Sequence, residues 1–272
     1  MNDSLFKQLI DIKSRGYVFK DLNKRALVDA MLEAIGHKDS KKRDDLIYPV
    51  LEYLLKDGHL SENHLKDILY VLLDSNHLMY DLNNVHAYSV LTRSFSALQI
   101  GVLLEVHLQQ QLIERPAIEY AFDTFLDYFE KEQVFDGYNK EVGWMHSIAH
   151  SADVFKEFMQ IPWLGEAKIK LIFEAIGQKM KQSTHCFIFN EDERMAVALK
   201  SGIERHILSE NYLKEWIDKV ATYDKPSTLP EQIYLENNVK NFLRSLYFRL
   251  VGCEHYKALT DHIRHYLIPE VS

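Results

Sequence analysis

Two histidines and two acids at helical spacing are the side chains of this sequence best placed to do chemistry. In Gly143-Trp144-Met145-His146-Ser147-Ile148-Ala149-His150-Ser151-Ala152-Asp153, read as the opening of a helix that runs to about Gln160, the residues His146, His150, Asp153 and Glu157 follow at intervals of four, three and four. At about 100° per residue those intervals stack the four side chains within one narrow arc. Trp144, Ile148, Ala152, Phe155 and Met159 fall on an apolar stripe opposite, which the helix would pack inward. Imidazoles one turn apart can both reach one metal ion, and the Asp153 carboxylate can supply a third ligand, so the set suits zinc or a harder divalent ion. Ser147 stands where a metalloprotease helix carries its Glu general base, and no His-Asp pair of the phosphohydrolase kind is present. Without a metal, His146 or His150 could act as a base or as a hydrogen-bonding anchor, held in one tautomer by Asp153 or by a carboxylate from another helix. The plainer alternative is a solvated polar face, with His150 and Asp153 forming a pair worth roughly a few tenths of a kcal/mol.

Other polar positions carry the same choice between site and scaffold. Arg93 lies on a helix face with Ser89 and Ser96, which suits either a groove arginine for a carboxylate or phosphate or an arginine bridging neighbouring helices. Glu191 and Arg194 flank a helix start, where an acid is stabilised in any case. Arg43-Asp44 reads as an ion pair between repeats, and the Lys41-Lys42-Arg43 run, with no aromatic interleaving, reads as a solvated face rather than a nucleic-acid patch. Arg93 and Glu191 are the residues expected to face His146, His150 and Asp153 across a groove. There is no Gly-x-Ser-x-Gly elbow and no Gly-rich phosphate loop.

The class of protein that must position these residues follows from composition and period. The 272 residues are 47% hydrophobic and 26% charged, with a net charge of −8, the balance of a soluble globular chain that does not neutralise phosphates for a living surface. Two distant cysteines, Cys186 and Cys253, form no CxxC and give neither a disulfide framework nor a thiolate zinc site, which fits a reducing cytoplasm. The amino terminus lacks the pattern of a signal peptide, and the most apolar window, Ala97 to Val106, is too short and too polar to span a bilayer. No membrane or nucleic-acid partner is expected.

Helical period runs through the whole chain. Asp3 or Ser4, Asp21 and Ser61 are expected to cap helices, Pro49 to kink or break a helix from Asp39 to Lys56, and Pro116 to open another. A long helix is expected over Asn84 to Gln110, a polar connection over Gln133 to Val142, and a capping-box start at Asn190 with Glu193. Helix starts recur about every 18 to 32 residues, so that two helices make a unit close to the roughly 40 to 47 residues of HEAT-type repeats. The expectation is a single all-α domain over residues 1–272, a right-handed α-α superhelix of the HEAT or armadillo kind with about twelve helices.

The central motif also resembles the signature of a bacterial family designated domain of unknown function 2785. That signature is approximately an acidic residue and an Arg-Gly a few positions ahead of Gly-Trp-x-His-x-x-Ala-His-x-x-Asp, and Gly143, Trp144, His146, Ala149, His150 and Asp153 match it. The resemblance extends to Lys42-Arg43-Asp44, to Thr92-Arg93-Ser94-Phe95-Ser96-Ala97-Leu98 and to Asn190-Glu191-Asp192-Glu193-Arg194-Met195-Ala196. Asp136-Gly137 stands in place of the Arg-Gly, so an arginine contact of relatives does not carry over. The resemblance implies a helical-repeat fold and no activity. Together these readings favour a binding or scaffold module with a polar His/His/Asp pocket for a small-molecule, anionic or protein ligand. The rival is a metal-dependent hydrolase with a divalent cofactor on His146, His150 and Asp153.

Overall fold

A computed structural model describes residues 3–57, 60–82 and 88–268, most of them helical. The all-α expectation holds. By its internal packing the chain divides into two compact units, Met1–Val154 and Phe155–Ser272. The first contains α1 (Asp3–Ser14), α2 (Lys24–Glu33), the short α3 (Ser40–Lys42), a π-helical segment (Arg43–Ile47), α4 (Tyr48–Lys56), α5 (Glu62–Leu72), α6 (Ser89–Gln110) and α7 (Arg115–Lys131). It also holds a small antiparallel hairpin of β1 (Tyr138–Asn139) and β2 (Gly143–Trp144), followed by the start of α8 (Ser147–Gln160). The second unit takes in the rest of α8, then α9 (Glu166–Met180), α10 (Glu191–Ile203), α11 (Glu210–Ala221), α12 (Glu231–Leu250), a 3-10 turn (Glu254–Tyr256) and α13 (Lys257–Leu267).

Helix boundaries follow local chemistry, with two changes from expectation. Ser61 caps α5 by accepting from the His64 amide, but α2 is capped by Asn23 rather than by Asp21, which sits at φ +63° two residues earlier. Asn190 also has a left-handed backbone and makes no side-chain cap; the neighbouring Glu191 carboxylate instead accepts from the Phe189 amide at 2.8 Å. The expected start of α6 at Asn84 lies outside the described residues.

Pro49 acts through the hydrogen bond it cannot make. Lacking an N–H, it leaves the Asp45 carbonyl without the helical donor that another residue would supply, and Lys13 Nζ donates to that carbonyl at 2.8 Å. Just before it the chain widens into a π turn over Arg43–Ile47, closed by the Tyr48 amide donating to the Arg43 carbonyl. Arg43, at the start of that turn, is buried while Lys41 stays exposed.

Helix α6 is the spine of the first unit. Val90, Leu91, Ala97, Ile100, Leu103, Leu104 and Val106 are buried around its circumference, and α4 and α5 pack against it. Among the described residues it is the one helix long and apolar enough to cross a membrane, yet 83% of its apolar window is buried inside the protein. In the second unit Trp216 of α11 is buried against Phe173 and donates its indole N–H to the Phe173 carbonyl at 2.8 Å. Asn238 of α12 ties down the 182–187 loop, donating to the carbonyls of Gln182 and His185 and accepting from the Phe187 amide.

Close backbone approach at the end of α2 gives a direct test of this packing. A Cβ added at Gly36 would lie 2.7 Å from the Thr92 backbone nitrogen and 2.8 Å from its Cα, where no side-chain rotation relieves the clash. Gly36→Ala is expected to lose about 1–3 kcal/mol of stability in urea denaturation, the range for overpacking; an unchanged midpoint would show that α2 and α6 are not held this closely.

Candidate binding site at the start of α8

The centre of the motif is a hairpin pinned by a buried arginine. Arg43 has no exposed surface. Its guanidinium donates to the carbonyls of His37 at 2.8 Å, Val142 at 2.7 Å and Trp144 at 3.1 Å, pairs with the Asp44 carboxylate at 2.8 Å, and lies 4.6 Å from the centre of the Phe95 ring. Burial pulls its pKa down and Asp44 opposes that pull. The expected Arg43-Asp44 pair therefore exists, but the reading of Lys41-Lys42-Arg43 as a solvated face is corrected at Arg43, which is buried because two residues on from Lys41 the helix points it about 200° away, toward the carbonyls of the hairpin. Gly143, at φ +79°, is required beneath it: a Cβ there would lie 2.9 Å from Ser40 Cβ.

The helix predicted to begin at Gly143 begins at Ser147. Gly143 and Trp144 form β2, pairing with Asn139 and Tyr138, and His146 takes a left-handed backbone at φ +46° before the helix starts. The geometry of 100° per residue thus does not apply to residues 143–146. Trp144, expected on the buried stripe, is 43% exposed and packs edge-on against the equally exposed Tyr138 at 4.9 Å. The His146 ring lies flat on the indole, 4.4 Å away and 7° from parallel. Its carbonyl accepts from the His150 amide at 2.8 Å, so this residue also opens α8. A non-glycine residue in that conformation costs of order 1–3 kcal/mol, and such residues concentrate at binding and active sites.

His150, 5.5 Å from His146 between ring centres, is only 6% exposed. Its Nδ1 lies 2.8 Å from Ser94 Oγ and 3.2 Å from the Ser94 carbonyl, and the Ser94 hydroxyl donates to the Met145 carbonyl. The serine has one proton and it is already committed, so the hydrogen of the His150 contact belongs to Nδ1. In the neutral ring that arrangement leaves the lone pair on Nε2. Ser94 is fully buried with its proton on a carbonyl, and is a latch between α6 and α8 rather than a nucleophile.

Of the two roles open to Arg93, the structure shows the bridge. It is 1% exposed, as is Glu132 just past the end of α7, and the two form a fork with Nε 2.7 Å from Oε2 and Nη2 2.8 Å from Oε1. Nη1 donates to the Tyr80 carbonyl and to Ser89 Oγ. Burial lowers the Arg93 pKa, but the Glu132 hydrogen bonds and charge outweigh it and hold the guanidinium above its ordinary range. Glu132 Oε1 also accepts from the amides of Gln133 and Val134, and Ser147 Oγ donates to the Val134 carbonyl at 2.6 Å. The connection from α7 to α8 is therefore clamped at its start by Arg93 and at its end by Arg43.

The remaining expected site residues disperse. Asp153 is half-buried on α8 and lies close enough to Tyr48 to raise that phenol's pKa, although burial is the larger cause. Glu157, buried in the second unit, pairs with Lys156 at 2.7 Å and accepts from Gln160. Glu191 also belongs to the second unit, where its buried carboxylate holds the start of α10 and desolvation raises its pKa. Among the described residues, no three His, Cys, Asp or Glu side chains come together where they could hold a metal ion, so the metal-dependent alternative has no donor set behind it. Sequence reasoning missed Ser94, Glu132 and Tyr138. Only Ser94 carried a signal, through its place next to Arg93 in the quoted motif.

The clamp is testable by stability. Removing one member of a buried pair strands the other charge, so Glu132→Ala is expected to cost about 3–5 kcal/mol, while replacing both residues by apolar ones, Arg93→Met with Glu132→Leu, is expected to cost less. Urea denaturation of the two proteins decides it; a double variant no more stable than the single one would mean that Arg93 and Glu132 do not balance one another.

With that geometry in place, comparison with known proteins adds one result. Neither the characterised proteins nor the solved structures contain a match to the chain. The family model described as Protein of unknown function (DUF2785) matches residues 78–248, which takes in α6 with Arg93, the hairpin and α8, while Arg43 lies ahead of the matched range. The chain is a member of that family.

Proposed function

We propose that this protein is a binding or scaffold module whose ligand, small or anionic, is received at the start of α8 by Trp144, His146 and Tyr138, with His150 behind them. The observation that carries the reading is the Trp144–His146 stack: a large indole left 43% exposed on a rigid hairpin, beside an imidazole held in a strained backbone. Exposed rigid aromatics are the usual anchors of binding surfaces, and amides at a helix start favour anions. A binding role is preferred to catalysis because Ser94, the hydroxyl beside His150, is buried and committed to Met145.

Helical-repeat packing within each unit would suit the same reading, since such stacks serve mainly as display surfaces. Next-but-one helices pack together within each unit, α4 with α6 and α5 with α7 in the first, and α9 with α11, α10 with α12 and α11 with α13 in the second. That is the neighbour pattern of a HEAT-like stack, in which alternate helices share a layer. Two free thiols, Cys186 and Cys253, suit a cytoplasmic setting.

Titration with inorganic phosphate, followed by NMR at the Trp144 indole N–H and the histidine ring protons, tests the proposal. Trp144 and His146 signals are expected to shift together, and His146→Ala to weaken binding by at least about tenfold, or 1.4 kcal/mol. The two histidines differ in cost: His146→Ala is expected to change stability by less than about 0.5 kcal/mol, whereas His150→Ala removes a buried hydrogen-bonded ring and should lose about 1–3 kcal/mol. Shifts confined to residues away from the hairpin would remove this surface from consideration.

A further inference from the structure

Outside the hairpin, a second histidine pair stands in the Phe155–Ser272 unit. His206, in the turn after α10, and His255, in the 3-10 turn before α13, place Nδ1 and Nε2 3.2 Å apart with the ring planes at 86°. Both residues are exposed, and both rings also pack against Tyr256. A hydrogen bond open to water contributes little, and His206 holds its place with a left-handed backbone at φ +54°.

The spacing also fits metal chemistry. Two nitrogens bound to one tetrahedral ion at about 2.1 Å sit about 3.4 Å apart, close to the separation found here. The facing nitrogens come from different turns, so an ion between them would join the end of α10 to the start of α13. Beside the pair lies a cavity of about 270 Å³ lined by Leu208, Leu213, Leu259, Glu210 and Tyr256, with room for the water molecules that complete an ion's shell.

We propose that His206 Nδ1 and His255 Nε2 bind one divalent transition-metal ion of the zinc class, an imidazole-preferring ion, with water in the other positions. In the metal-free pair one facing nitrogen carries a hydrogen and the other accepts it. On binding, the donor ring transfers that proton to its outward nitrogen through solvent, both inward lone pairs turn to the ion, and the total proton count of the two neutral rings is unchanged. The site takes nothing from the hairpin in the other unit and stands or falls separately.

The test is isothermal titration of the full, tag-free chain with zinc chloride, alongside His206→Ala, His255→Ala and Cys253→Ser variants. Wild type is expected to bind one equivalent and to gain in thermal midpoint as zinc is added; each histidine variant should bind at least about tenfold more weakly and lose the midpoint gain. Cys253→Ser, two positions before His255, should bind as wild type does. Equal binding by the two histidine variants and the wild type would assign the zinc to other surface histidines and overturn the proposal, as would binding lost in Cys253→Ser alone or no binding by the wild type.

Discussion

A guanidinium with no access to water has to be met by the protein on every side, and in this chain meeting Arg43 determines where the motif hairpin lies. Leaving such a group uncompensated would cost several kcal/mol, so its partners are obligatory rather than incidental. They come from three places in the sequence: the His37 carbonyl just after α2, the adjacent Asp44, and the Val142 and Trp144 carbonyls about a hundred residues on. The Phe95 ring of α6 closes another side. A hairpin with only two residues per strand has too few ladder bonds to persist in water unaided. The arginine supplies what the ladder lacks.

The second buried arginine does the same for the other end of the connection. Arg93 holds Glu132, and Glu132 in turn satisfies the amides of Gln133 and Val134 as the chain leaves α7. Beneath the hairpin, Val90, Leu91, Val134, Val142 and Met145 form a separate apolar cluster that Tyr88 flanks. Fixed at both ends and packed from below, the segment presents Tyr138 and Trp144 without the ordering cost that a free loop would bring to binding.

The helical class was legible because α-helical period recurs from α1 to α13, and so was the importance of the Gly-Trp-x-His stretch. What could not be read was its conformation. Gly143 and His146 both adopt positive φ, and a periodicity argument assumes that every residue it counts is already helical. Trp144 was assigned to the core for that reason alone. Arg43 and Arg93 were legible as polar residues on helices, but their burial depends on carbonyls and a carboxylate contributed by distant segments. Asn190 shows the same limit on a smaller scale: the capping-box spacing is present, yet a left-handed backbone gives the work to Glu191.

The two histidines of the motif illustrate how one spacing can serve two purposes. His150 is inside, its Nδ1 hydrogen directed at Ser94, and this latch fixes α8 against α6 close to where Ser94 also holds Met145. His146 is at the edge, and its ring continues the indole surface toward solvent. In the neutral ring the latch leaves Nε2 as the lone-pair nitrogen, and the ring's position cannot adjust without breaking the α6–α8 contact. His150 therefore sets the angle at which α8 begins, and through it the position of His146. One imidazole thus orients the helix start from inside, while the other, half-buried, lies stacked on the indole at its edge.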